Sequence, residues 1–373
     1  MTRRWTINGR FLTQPLSGVQ RYGREIVAAL DRLVVESHPL TRGMEITVSV
    51  PSGVREALEL QAIELDASGN GTGHAWEQFV LPAHVSGGLL SLCNTGPIVA
   101  RRHIVCIHDA NTRTCPSSYA LPFRALYRGL LPMLGRRAAA VTTVSSFSAS
   151  EIARWRIAPV DKISVVPNGH EHALAWAPRH TPSTEAVAGP GTIVVIGSNA
   201  PHKNIEMLIG LAPKLKMFGL RLAITGLAAR HIFRSDGGPV SADNIAWLGR
   251  VGDGQLAALL QDSLCLAFPS LSEGFGLPPL EAMARGCPVV VSDQASLPEV
   301  CGDAALYASP HNPAAWLATF VRLRDKTGLR ADRIARGLHR SRQFSWRSSA
   351  LLYLEAMQRI DCEPRTRAKW HDA

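Results

Sequence analysis

The feature that most restricts the fold of this chain is an alternation, repeated in two series, of short β-branched apolar runs with longer segments of helical period. Strand, helix, strand in that order means parallel sheets with helices on both faces. In the first series strands are predicted at 4–8, 45–50, 89–92, 103–107, 140–144 and 162–166, with helices at 19–35, 74–83, 120–137 and 146–155. In the second, strands fall at 192–197, 221–225, 245–248, 264–268, 288–292 and 304–307, with helices at 205–217, 253–261, 279–285 and 313–325. Between the series, 170–191 carries His170-Glu171-His172, several prolines and a polar run, the composition of a linker. The expectation is α/β: two doubly wound, Rossmann-like domains over 1–170 and 191–345, joined by a linker over 171–190. An amphipathic helix and a polar, frayed tail from Asp361 complete the chain over 346–373.

The chain is basic, with a formal net charge of +10. Such a balance favours an anionic partner: nucleic acid, an anionic membrane face or a phosphorylated substrate. The arginines are dispersed and no RNA-recognition or zinc-finger signature appears, so nucleic acid is set aside. None of the seven cysteines forms a Cys-x-x-Cys pair, and several sit in apolar runs, which reads as free thiols in a reducing compartment. The N-terminus lacks a signal-peptide pattern, and no apolar run approaches the ~18–20 residues of a membrane span. The expected location is cytoplasmic. Arg124, Arg128, Arg136 and Arg137 share a segment with Leu126, Leu130, Leu131, Met133 and Leu134. That stripe is a core face with a solvated side, or a surface for peripheral contact with an anionic membrane.

Ligands of open parallel sheets bind outside the carboxyl ends of the strands, so residues just after strands carry the function. The richest such segment runs from Ser270 to Glu281. Gly274 and Gly276 allow a tight turn and close approach of a ligand, and Pro279 suits the first turn of a helix. The N–H groups of Gly276 and Leu277 are then placed to hold an anion. Glu281 can accept hydrogen bonds from ribose hydroxyls, and Glu273 faces a sugar. Carboxylates also gather at helix starts to complement the dipole, and two of them could suggest a glycoside hydrolase. The anion-binding turn between them favours a phosphate-bearing ligand.

Glu273 and Glu281 form a Glu-x7-Glu element that resembles that of retaining glycosyltransferases of the GT-B fold, family 4, once called group 1. The likeness continues through Ala282-Met283-Ala284-Arg285-Gly286-Cys287-Pro288-Val289-Val290 and Leu297-Pro298-Glu299-Val300-Cys301-Gly302-Asp303-Ala304-Ala305, and covers nearly the whole chain. It implies two domains facing across a cleft, the N-terminal one on the acceptor side and the C-terminal one holding a nucleotide-diphosphate sugar.

Residue by residue, the resemblance places Gly18 and Val19 at the donor diphosphate. Arg21, beside them, reads as a solvated helix residue or a further phosphate contact. His108 would contact the hydroxyls of the transferred sugar, with Asp109 orienting or capping. Lys203 would stabilise the leaving diphosphate. Relatives carry an arginine near the first glycine of the segment Gly197-Ser198-Asn199-Ala200-Pro201-His202-Lys203. Here Ser198, Asn199 and His202 stand instead, leaving Asn199, His202 or Arg250 to compensate. Val251 would read the base edge, and Asp253 looks like an N-cap. Gly274, Phe275, Gly276, Leu277 and Glu281 complete the donor set, and Glu273 joins His108 and Lys203 in catalysis. Ser145-Ser146-Phe147-Ser148 reads as a helix start near the acceptor, and Val166-Pro167-Asn168-Gly169 as a closing turn. Trp76-Glu77-Gln78 reads as packing plus helix surface.

The family implies retention at the anomeric carbon. No cofactor is called for. No Asp-x-Asp occurs in the chain, which fits metal independence. The segments at His108 and Lys203-Asn204 look most like mannosyltransferases of surface polysaccharide assembly. GDP-mannose is therefore the first donor to consider and UDP-sugars the second, with a glycan or lipid-linked acceptor. An epimerase, a donor hydrolase or a non-catalytic partner subunit of the same fold remain alternatives.

Overall fold

The computed structural model describes residues 2–52, 54, 58–198, 200–226 and 243–362. Its strands form two wholly parallel sheets. The first contains β1 (Arg3–Asn8), β2 (Met44–Val50), β3 (Glu64–Ala67), β4 (Gly88–Ser91), β5 (His103–Cys106), β6 (Ala140–Thr143) and β7 (Ile163–Val165), in the order β3-β2-β1-β4-β5-β6-β7. The second contains β8 (Thr192–Ile196), β9 (Arg221–Thr225), β10 (Ile245–Gly249), β11 (Cys265–Phe268), β12 (Val289–Ser292) and β13 (Leu306–Ala308), in the order β10-β9-β8-β11-β12-β13. Every residue of β4, β5, β11 and β12 is buried, as expected of strands covered on both faces. β3 was not predicted. Its sequence, Glu-Leu-Asp-Ala, is polar and largely exposed because it pairs only along one side, at the sheet's edge.

The helices that position the site are α1 (Gly18–Val35), α2 (Leu121–Arg137), α3 (Ser146–Arg154), α4 (Ile205–Met217), α5 (Asp253–Asp262), α6 (Leu277–Ala284), α7 (Leu297–Cys301), α8 (Pro313–Asp325), α9 (Thr327–Ser341) and α10 (Trp346–Cys362). In α1 the buried residues Tyr22, Ile26 and Leu30 recur every fourth position and face the first core. A second core, between α4 and α8, contains Trp316 and Phe320. The α9 helix was not foreseen: it is rich in arginine and carries few large apolar residues, although those it has gather on one face.

α10 returns to the first sheet and packs on α1, burying Trp346, Tyr353, Leu354 and Met357. The Tyr22 and Tyr353 hydroxyls meet at 2.9 Å. The expectation of a tail frayed from Asp361 is corrected at that residue. Its carboxylate accepts the Trp5 indole N–H at 3.2 Å and pairs with Arg102, so the helix is pinned to β1. The rest of that tail lies outside the described residues. All seven cysteines are free; Cys106, Cys265, Cys287 and Cys301 are buried, and Cys362 is exposed. Among the described residues no helix is long and apolar enough to cross a membrane.

Candidate active site

Each sheet reverses its order once, between β1 and β4 and between β8 and β11. Open parallel sheets leave a crevice at such points, beyond the carboxyl ends of their strands. The two crevices face each other. Segments following β1, β5, β8 and β11 line one cavity of about 450 Å³ between the sheets.

Two helix starts meet in this cleft. α1 opens at Gly18 and α6 at Leu277, neither with a side-chain cap. A Cβ on Gly18 would stand 4.0 Å from Leu277 Cδ2. Uncapped starts present N–H groups and the positive end of the helix dipole. Pro278 and Pro279 carry no N–H, so the donors at α6 come from Leu277 and the residues just before it. Gly276 makes the turn at φ +107°, which side chains other than glycine's rarely adopt. At Gly274 a Cβ would lie 2.5 Å from the His108 carbonyl oxygen, so only glycine lets the loop close against β5. The closure is held by hydrogen bonds: Ser145 and Ser148 hydroxyls donate to the Gly274 carbonyl at 2.6 and 2.9 Å, and Ser296 donates to Phe275 at 2.7 Å.

Charges line the same space. Lys203 Nζ lies 2.7 Å from Glu273 Oε1, with both side chains mostly buried. Asp109 stands close by; burial first, and the neighbouring Glu273, raise its pKa against the lowering pull of Lys203 and of the Asn111 N–H. Its Oδ1 accepts that N–H at 2.8 Å, while Ala110 and not Asp109 holds the N-cap place of the short helix that follows. Burial, then Lys203, lowers the pKa of His202. His202 Nδ1 lies 2.8 Å from the Ser118 hydroxyl across the cleft. His108 is turned inward. Its Nε2 donates to the Leu92 carbonyl at 2.8 Å and its ring packs edge-on against Tyr22, so that N–H is already used within the protein.

Of the residues singled out by sequence, Gly18, Val19, His108, Lys203, Val251, Glu273, Gly274, Phe275, Gly276, Leu277 and Glu281 all line the cavity. Ser198 does not; it is exposed, with its hydroxyl 3.4 Å from the Ala200 N–H. Asn199 lies outside the described residues. Among the described residues no group of three or more His, Cys, Asp and Glu is placed to hold a metal ion.

Residues 190–326 match the family described as glycosyl transferases group 1, and residues 83–174 match glycosyltransferase family 4. The chain is 32% identical over 262 residues to O-antigen chain mannosyltransferase B of Escherichia coli, an alignment covering 66% of this chain and 67% of that protein. The chain belongs to glycosyltransferase family 4. Its fold is GT-B. The solved sucrose-phosphate synthase of Thermosynechococcus elongatus superposes with a TM-score of 0.70 at 16% identity, covering 97% of this chain and 99% of that one. Anabaena HepE, solved in complex with UDP and glucose, superposes with a TM-score of 0.67 at 16% identity, covering 96% and 100%.

In this transferase the structure also places residues that sequence reasoning missed or misjudged. Arg21 is not solvated: its side chain is 15% exposed and pairs across the cleft with Asp253. Asp253 in turn is not an N-cap; Gly252 holds that place, and the aspartate is the first residue of α5. Glu281 accepts a hydrogen bond from His172 Nε2 at 2.8 Å, and Trp346 donates to His172 Nδ1 at 2.9 Å. Glu299 of α7 receives the Ser146 and Phe147 N–H groups at 2.8 and 3.0 Å, so a carboxylate from one half caps a helix of the other. Asn168 lines the cavity, and its buried Oδ1 has no partner among the described residues. Its position just past β7 was the available signal, since the other site residues also follow strands. Glu77 is no surface residue. It is 1% exposed and bound by Asn8, Arg10 and Thr95.

Proposed function

We propose that this transferase moves a hexose, mannose in the first instance, from a nucleotide-diphosphate sugar to a glycan or lipid-linked acceptor during surface polysaccharide synthesis, with retention at the anomeric carbon and without a metal. The observation that carries the reading is the convergence of two uncapped helix starts with Lys203, Glu273 and Glu281 in one cleft. Positive helix ends and a lysine suit a diphosphate leaving group. The name of the E. coli relative supports mannose. HepE, solved with UDP and glucose, keeps UDP-sugars in view.

In this reading the diphosphate lies between Gly18 and Leu277, and Glu281 holds the ribose. The acceptor hydroxyl attacks the anomeric carbon on the face from which the diphosphate departs. The carbon–phosphate-oxygen bond breaks, the new glycosidic bond forms, and the acceptor's proton passes to the departing phosphate oxygen. Lys203 and the helix starts stabilise the negative charge that develops there. Glu273 orients the sugar, and closure of the halves excludes water. At the sugar end, Tyr119 leads onto α2, whose Leu121, Phe123, Leu126 and Met133 are exposed beside Arg124 and Arg128. Such a ridge fits peripheral contact with an anionic membrane that carries the acceptor.

The test is product analysis. The protein is incubated with GDP-mannose, or with UDP-sugars, and with lipid-linked and free glycan acceptors, and the anomeric configuration of the product is read by NMR. Transfer with retention, abolished by Glu273→Ala, is expected. Free sugar alone, or an epimerised donor, would point to a hydrolase or an epimerase. No turnover with any donor would leave a non-catalytic subunit.

A further inference from the structure

The cations of the cleft are each held by a neighbour. Lys203 pairs with Glu273 at 2.7 Å, and Arg250 reaches the Leu16 carbonyl at 3.3 Å. Arg21 donates through Nη2 to both oxygens of Asp253, at 2.8 and 2.9 Å. The surroundings of Arg21 set it apart. It follows Gly18 by three positions and so shares that residue's face of α1. Its guanidinium lies over the Trp176 ring, 5.4 Å from the centroid, which fixes its plane. Its Nε is 3.9 Å from Glu281 Oε1. Arg21 therefore stands between the helix start expected to hold a diphosphate and the carboxylate expected to hold a ribose. A phosphate linked to a ribose held by Glu281 would lie within reach of its guanidinium.

Asp253 is a replaceable partner. Its side chain is 44% exposed, so release leaves it hydrated rather than stranded. A phosphate offers the guanidinium a doubly hydrogen-bonded, more highly charged acceptor. We propose that Arg21 is the second cation of the donor site, exchanging Asp253 for the ribose-linked phosphate of the nucleotide-diphosphate sugar. It would supply this second charge from the half of the molecule opposite to Lys203. Because Arg21 comes from the first half and Glu281 from the second, the donor would tie the halves together as it binds. The inference rests on the transferase reading above.

The experiment is calorimetric titration of the full chain with a nucleoside diphosphate, the matching monophosphate and the nucleoside. Arg21→Gln is expected to weaken diphosphate binding about tenfold to a hundredfold, from loss of a charge-assisted hydrogen bond, and to leave the nucleoside nearly unaffected. Arg21→Lys should recover part of the loss. Asp253→Asn should bind the diphosphate at least as tightly as the wild type, because the competing carboxylate is gone. If instead Arg21 only ties the halves together, Arg21→Gln and Asp253→Asn will weaken all three ligands alike. That pattern, or an Arg21→Gln variant that binds the diphosphate within about twofold of wild type, overturns the inference while leaving the transferase reading in place. A wild-type chain that binds none of the diphosphates brings down both.

Discussion

His172 joins Trp346 to Glu281: its Nδ1 accepts the indole N–H at 2.9 Å, and its Nε2 lies 2.8 Å from Glu281 Oε1. An indole N–H can only donate, so Nδ1 must be the acceptor and Nε2 must carry the hydrogen that goes to the carboxylate. The tautomer is thus set by a residue of α10, at the far end of the chain from α1. If Glu281 holds the ribose, this chain of two hydrogen bonds fixes the carboxylate for it. His172→Gln keeps an N–H able to reach Glu281 and should leave the donor KM within a few-fold of wild type. His172→Phe keeps the ring but not the donor and should raise it about tenfold, with a smaller effect on kcat. Equal losses in both variants, in initial-rate kinetics, would show that ring packing rather than the hydrogen bond matters.

Lys203→Ala is expected to lower kcat by about 10²–10³-fold, the size of effect seen when a preorganised stabiliser of developing charge is removed. Free nucleoside diphosphate should bind more weakly as well, since Lys203 would contact it in the ground state too. Product release could hide the chemical step, so single-turnover rates are the measurement to make. An undiminished rate would remove Lys203 from the mechanism.

Chelation offers a separate check. The chain has no Asp-x-Asp, and the proposed charge stabilisation comes from Lys203 and helix ends. Overnight dialysis against EDTA should leave the transfer rate unchanged. A loss restored by Mn²⁺ would show that a metal carries part of the leaving-group charge.

Asp109 should set stability against activity. Burial and the nearby Glu273 raise its pKa in the folded protein, so its ionised form is disfavoured there. A carboxyl with a raised folded pKa contributes its stability at low pH and loses it as pH climbs through that pKa. Asp109→Asn removes this titration while keeping an oxygen for the Asn111 N–H. The variant should therefore melt higher than wild type at pH 7, with the difference shrinking towards pH 3. Transfer should fall, because Asp109 lines the cavity beside Glu273, the carboxylate proposed to orient the sugar. A melting gain that does not change with pH would mean that the carboxyl is not destabilised by burial.

The fold was legible because parallel strands covered on both faces need unbroken apolar runs, as in Val289–Ser292 and Cys265–Phe268. The sites after strands were legible for the same reason, since the strand ends mark them. What the sequence concealed lies in pairs distant along the chain. Nothing local in Arg21 distinguishes it from Arg24, and only the approach of the two halves brings it to Asp253. His172 sits in a stretch whose prolines and polar residues read as linker, yet it is buried because α10 folds back over it. Edge strand β3 is too polar to show an alternation, and the arginine-rich α9 has so few large apolar residues that its one apolar face is thin.

Glu77 tests how much the first sheet depends on a buried ion pair. Its carboxylate accepts from Asn8 at 2.7 Å, Arg10 at 3.0 Å and Thr95 at 3.0 Å, and lies 3.2 Å from His74. Asn8 ends β1, so the cluster fixes the turn that leads from that strand to Gly18. Burial alone would raise the Glu77 pKa; His74, Arg10, Asn8 and Thr95 together outweigh it and hold the carboxyl below its ordinary value. Removing one partner of a buried pair strands the other, at a cost of about 3–5 kcal/mol. Glu77→Ala should lose about that much in urea unfolding at pH 7. A depressed carboxyl supplies stability above its unfolded pKa, about 4.3, and loses it as pH falls through the folded value. The gap between wild type and variant should hence be full at neutral pH and narrow in acid. A variant as stable as wild type at pH 7 would mean that Arg10 finds solvent or another acceptor, and that the cluster does not hold the β1 turn.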